Sequence, residues 1–153
     1  MKTIIRSVVA FVLLLAPASM SAQNTTDAED ARQMLSLYCQ EKMKEVPIKD
    51  GESNSFYLGY FFEDNQMNIV YGVETEIFNA MSKNREAAAQ ALVEELASNE
   101  ELVGMLALLT ICDGSLVYVA VGLDGDATDP NNQLMFPFDA DNVKAIVLKA
   151  AGD

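Results

Sequence analysis

The sequence predicts an α+β domain built on a mostly antiparallel sheet of about four strands, and three observations carry that expectation. Two pairs of β-type segments stand apart, each pair joined by a polar stretch: Phe56–Phe62 with Met67–Val73, and Leu116–Leu123 with Leu134–Phe138. Helical patterning fills the chain before, between and after them. No regular strand–helix–strand alternation of the doubly wound kind runs through it, so the order reads α-β-β-α-α-β-β-α.

The first helix is predicted from Thr26, where Thr26 and Glu29 have the spacing of a capping box and Asp27, Glu29 and Asp30 suit the positive helix end. Ala31, Met34, Leu35, Tyr38, Cys39, Met43 and Val46 share one side of that helix, which places Cys39 toward the core. Val46-Pro47 ends it, because the residue before proline avoids helical angles. Residues 47–55 read as a polar loop. The aromatic run Phe56–Phe62, the turn Glu63-Asp64-Asn65-Gln66 and the run Met67–Val73 then make a hairpin. In the second run Met67, Ile69, Tyr71 and Val73 occupy one face, and Asn68, Val70 and Gly72 the other.

Glu74–Ser82 reads as a short helix or turn. Asn84–Ala97 is a helix by propensity, with Ala88, Ala91, Leu92 and Glu95 at helical spacing. Ser98-Asn99 recaps the chain, and Glu100-Glu101 open a helix that is apolar nearly all round. A strand over Met105–Cys112, turning at Asp113-Gly114, competes with that helix; the acidic start and the Leu, Met and Ala content favour the helix. Leu116–Leu123 is apolar on both faces, as a strand covered from both sides would be. Asp124–Asn132 is a loop, and Pro137 makes Leu134–Phe138 an edge strand. Asp139 or Asp141 caps a last segment through Val143, Ile146, Val147 and Leu148, a helix or a strand.

The N-terminus has the layout of a secretory signal peptide: Met1, Lys2 and Arg6, then the apolar run Val8–Ala16, then Pro17 and small residues. That run is far shorter than the roughly 20 residues a spanning helix needs. Cleavage before Ala22 and before Gln23 both fit; the cut before Gln23 is preferred, giving a leader of residues 1–22 and a single domain of 23–153. No cysteine follows the apolar run, so lipid attachment is not expected. Without the leader eight basic residues face 23 acidic ones, a net charge of −15. Such a chain repels nucleic acid and anionic lipid and leaves basic or neutral partners; the plainer reading is that the charge keeps the protein dissolved. The two cysteines, Cys39 and Cys112, are candidates for a disulfide in an oxidising compartment, or for two separate buried thiols.

The chemistry the chain lacks narrows its function. It has no histidine, which excludes a Ser-His-Asp triad, a Cys-His dyad and histidine-ligated zinc. It has no C-x-x-C pair and no glycine-rich phosphate loop. Asp124, Asp126 and Asp129 form an oxygen-rich loop of the kind calcium favours. The EF-hand pattern fails there, since Asp129 stands where glycine is needed and Met135 where glutamate is. Paired carboxylates are the basis of a hydrolase reading; Glu74, Glu76 and Asp113 sit near element ends, and none is assigned a catalytic role. The aromatic strand with Tyr71 is read as core; a face left open would bind a peptide, a glycan or a second copy of the chain.

A helix, a hairpin, a helix ending at Ser98-Asn99-Glu100-Glu101-Leu102, the strand Leu116-Val117-Tyr118-Val119 and the turn Asp124-Gly125 together resemble small exported envelope proteins of Gram-negative bacteria, in a pilotin-like layout. The chain departs from pilotins in lacking a lipid-attachment cysteine. The resemblance implies a non-catalytic envelope role and carries over no residue function. The sequence therefore points to an exported, periplasmic or secreted binding protein with an unidentified protein, peptide or glycan partner. A carboxylate-dependent hydrolase and a calcium-binding module are the alternatives.

Overall fold

The structure, a computed structural model, describes residues 24–152. The leader expected over residues 1–22 lies outside them. In chain order the elements are α1 (Asn24–Met43), β1 (Ile48–Lys49), β2 (Phe56–Glu63), β3 (Gln66–Val73), α2 (Thr75–Lys83), α3 (Arg85–Ser98), α4 (Glu100–Ile111), β4 (Ser115–Gly122), β5 (Gln133–Phe138) and α5 (Ala140–Ala151). A single 3-10 turn, Pro130–Asn132, precedes β5.

The five strands form one sheet in the order β1-β2-β3-β4-β5. The sheet is mostly antiparallel, as expected, and departs from the expectation of about four strands in two hairpins in two ways. Ile48 and Lys49 make a fifth strand against Tyr57 and Phe56; two residues inside a polar loop carry no readable periodicity. Strands β3 and β4 pair in parallel, in unbroken register from Gln66 opposite Ser115 to Val73 opposite Gly122. Parallel neighbours need a long crossover, and α2, α3 and α4 together supply it. The remaining pairs are antiparallel, and both expected hairpin partnerships form.

Local sequence explains the helix ends. Asn84 accepts from the Ala87 amide (3.1 Å), Asn99 from those of Glu101 and Leu102 (3.1 and 3.2 Å), and Asp139 from that of Asn142 (2.8 Å). Each cap contributes about 1 kcal/mol by relieving an orphan amide. The Asn99 cap settles α4 as a helix through Ile111, and Asp113 takes a positive φ of 50° in the turn to β4. At the other end of the chain α1 begins at Asn24, so Thr26 lies within the helix and is not its cap.

All the helical packing is on one side of the sheet. Ala31, Leu35 and Cys39 of α1, Leu92 and Leu96 of α3, Leu102 to Leu109 of α4, and Val143 and Ile146 of α5 form one core. Met67, Ile69, Tyr71 and Val73 of β3, Leu116, Tyr118 and Ala120 of β4, and Leu134, Phe136 and Phe138 of β5 complete it from the sheet. In β2 the register shifts between Tyr57 and Gly59. That bulge turns both Tyr57 and Tyr60 toward the helices, although regular pleating would send them to opposite faces. Val117 and Val121 are buried yet lie outside this core, on the opposite face.

Candidate interaction surface

The face of the sheet away from the helices carries Phe56, Leu58 and Phe61 from β2, Asn68 and Val70 from β3, Val117, Val119 and Val121 from β4, and Met135 and Pro137 from β5. The core formed with the helices lies on the other side of the sheet, and Leu123, just after β4, reaches back over Gly72 on this one. On β4 the outer row is mixed: Val117 and Val121 are buried, in keeping with the expectation of a strand covered on both sides, and Val119 is half-buried. The exposed side chains are large and apolar, with Phe61 48 % and Met135 52 % accessible. From β2 to β5 the strands contain a single charged residue, Glu63. Four strands about 4.8 Å apart, over some 20 Å of length, give roughly 400 Å² of apolar surface, near the upper range of what a monomer leaves open.

Two glycines shape this surface. A Cβ at Gly59 would meet Phe61 Cε2 at 2.7 Å, and one at Gly72 would meet Leu123 Cδ2 at 2.5 Å and Leu58 Cδ1 at 2.9 Å. The Phe61 ring therefore lies down over Gly59, while Leu58 and Leu123 close over Gly72.

Beneath this surface, on the helical side, all five tyrosines of the chain form one aromatic ladder. Ring centroids are 6.0 Å apart for Tyr38–Tyr60, 5.7 Å for Tyr60–Tyr57, 4.9 Å for Tyr57–Tyr71 and 5.6 Å for Tyr71–Tyr118. Each such pair is worth about 0.5–1.5 kcal/mol beyond area burial, so the ladder stiffens the sheet that carries the open face. Tyr38 donates to Glu101 Oε1 at 2.9 Å, and Tyr71 donates to Asp50 Oδ2. The hydroxyls of Tyr57 and Tyr118 are buried without a partner. Burial, with acidic neighbours, pushes all five phenols well above their ordinary range.

Glu95 of α3 lies close to the phenols of Tyr57 and Tyr118. Partial burial raises its pKa, the nearby Asp50 carboxylate raises it further, and its interaction with the Tyr57 hydroxyl works to lower it. Its place in the apolar row of Ala88, Leu92 and Leu96 is the sequence signal that marks it, a charge where the helix turns inward.

The residues singled out from sequence do not converge. Asp124 accepts from Thr75 Oγ1, Asp126 from the Thr128 amide and hydroxyl (2.8 and 2.7 Å), and Asp129 from the Asn131 amide (2.9 Å). Each carboxylate thus serves its own turn, and the Thr128 bonds hold Asp126 below the usual carboxylate range. No group of three or more His, Cys, Asp or Glu is arranged to hold a metal among the described residues. Glu74 and Glu76 lie at the C-terminal end of β3 while Asp113 lies at the N-terminal end of β4, so the sheet's length separates them. Cys39 and Cys112 are both buried free thiols. Cys39 faces the core as expected, its sulfur 3.3 Å from Met67 Sδ, and burial pushes its thiol up to about 12. An open groove beside α1, lined by Arg32, Ser36, Phe62 and Asn65, is mixed in character, and Arg32 is already bonded there to Asn65 Oδ1 at 3.2 Å.

The architecture defines an α+β domain with a one-sided helical layer over a mixed five-stranded sheet. The chain is similar in structure to a candidate secreted protein from Pseudomonas aeruginosa, known from a crystal structure, with a TM-score of 0.55 and 20 % sequence identity over 82 % of this chain and 98 % of that one. That likeness shows a common fold. No family model matches the chain, and no curated protein matches it. Among the described residues no helix is long and apolar enough to cross a membrane.

Glu95 generates a prediction with a defined sign. Its folded-state pKa lies above the unfolded value, so the fold holds this proton more tightly than the unfolded chain does. Its stabilising effect is complete below the ordinary carboxylate pKa and is lost as pH rises through the raised one. In melting curves recorded from acid to neutral pH, Glu95→Gln is expected to fall less steeply with pH than the native chain and to be more stable than it at pH 7. Parallel pH profiles for the two proteins would contradict this assignment.

Proposed function

We propose that the chain is an exported, non-catalytic binding protein that receives a protein or peptide partner on the open face of its sheet. One observation carries this reading: a largely apolar, nearly uncharged face of four strands, backed by the tyrosine ladder, on which Phe61, Met135 and Pro137 stand exposed. Exposed apolar patches of this size in otherwise well-packed proteins mark interaction surfaces. A glycan is less well served, because the face offers one exposed aromatic ring, Phe61, and its polar side chains Gln66, Asn68, Ser115 and Gln133 lie toward the strand ends. The likeness to a candidate secreted protein of a Gram-negative bacterium supports export, as does the pattern of residues 1–22.

A carboxylate-dependent hydrolase has one observation in its favour, the neighbouring Asp50 and Glu95 with the raised pKa of Glu95. Against it, Asp50 is engaged by Tyr71, and the Tyr57 and Tyr118 hydroxyls close to Glu95 are buried. The cluster is better read as part of the support for the sheet.

Two measurements test the proposal. A photo-crosslinking side chain at Phe61 or Met135, in the protein made in its own cells, is expected to trap a discrete partner, whereas the same group at Leu37 or Ile77 on the helices is not. Equal capture from both sides would overturn the binding face. For export, the intact mass of the natural product is expected to correspond to a chain beginning at Gln23; a product still carrying residues 1–22 would refute processing.

A further inference from the structure

We propose that the occupant of the open face is a polypeptide segment with an apolar centre and basic residues at both ends, lying along the strands. This deepens the binding reading above and rests on it. The argument is charge placement. At one end of β3 and β4 the rim carries exposed Glu63, Asp64 and Asp113; at the other it carries exposed Glu74, Asp124 and Asp126. Between the two rims lies an uncharged stretch of about 26 Å, the length of an eight-residue strand, apolar in its middle with Gln66, Asn68 and Ser115 toward one end and Gln133 toward the other. Cations near the face are few. Lys49 sits opposite Phe56 at the β1 edge, and Arg85 is occupied with the Met135 carbonyl at 2.5 Å and the Phe136 ring.

This arrangement excludes the obvious alternative, a second copy of the chain. Because both ends are acidic, face-to-face stacking sets acid against acid whether the copies run the same way or opposite ways, and like charges across an interface are penalised. Anionic lipid meets the same repulsion. A segment that places Lys or Arg some 26 Å apart around an apolar middle satisfies face and rims together.

The test uses three synthetic peptides sharing one apolar centre, with paired lysines, paired serines or paired glutamates at each end, titrated into the chain from Gln23 onward. The lysine-ended peptide is expected to bind about tenfold more tightly than the serine-ended one. That advantage should shrink as salt rises from ~50 to ~500 mM. The glutamate-ended peptide should bind weakest. Phe61→Ser with Met135→Ser, both at exposed positions that leave the core intact, should weaken binding of the lysine-ended peptide at every salt concentration. Equal binding of the lysine- and serine-ended peptides would overturn the basic-ended occupant and leave the binding face standing. Binding untouched by the Phe61 and Met135 substitutions, or none at all, would overturn the binding face as well. A dimer at sedimentation equilibrium that dissociates in the Phe61→Ser, Met135→Ser variant would replace the peptide with a second copy.

Discussion

The parallel pairing of β3 with β4 is the constraint from which the rest of this molecule follows. Two parallel neighbours cannot be joined by a tight turn, because the chain must travel back along the sheet before the second strand begins. Here the return consists of α2, α3 and α4, and all three lie on one side of the sheet. With α1 and α5 on that same side, the core formed with the helices lies against one face of the sheet.

The packing reflects that asymmetry. The bulge in β2 directs Tyr57 and Tyr60 inward, where they join Tyr71 and Tyr118 in an aromatic ladder that spans three strands. Glu95 and Asp50 stand at its polar end, and the buried hydroxyls of Tyr57 and Tyr118 without partners show that this region is not optimised for hydrogen bonding alone. Outside, valines and glycines give a surface on which Phe61, Leu58 and Leu123 lie down. The acids sit at strand ends and on helices, so a strongly charged chain still carries a largely uncharged apolar sheet face.

Much of the fold was legible in the residues. The alternation through Met67–Val73 named the inward face of β3 correctly, and Pro137 marked β5 as an edge. The acidic start and the Leu, Met and Ala content favoured helix over strand for Met105–Cys112, and the helix runs to Ile111. What was hidden is physically understandable. The two-residue β1 is too short for any periodic signal, and the direction in which β4 rejoins the sheet depends on how three helices pack, which no local pattern records. The open face was legible only as a condition. An apolar run such as Leu116–Leu123 looks the same whether its outer valines meet a second helical layer or stand free. The loop acids Asp124, Asp126 and Asp129 stood out by composition alone, and their carboxylates serve separate turns. Glu95 was visible as an acid in an inward-facing row, but its partners came from a distant loop and two strands.

The central claim is that the sheet face bearing Phe61 and Met135 is accessible in the folded chain, and paramagnetic relaxation of methyl signals measures that directly. With a soluble, uncharged spin label in solution, the methyl groups of Val70, Val119 and Met135 should broaden strongly, while those of Leu106, Leu109 and Ile146 under the helices stay sharp. If the strand methyls proved as protected as the core ones, the face would be covered in the folded protein, and the binding surface described here would not exist.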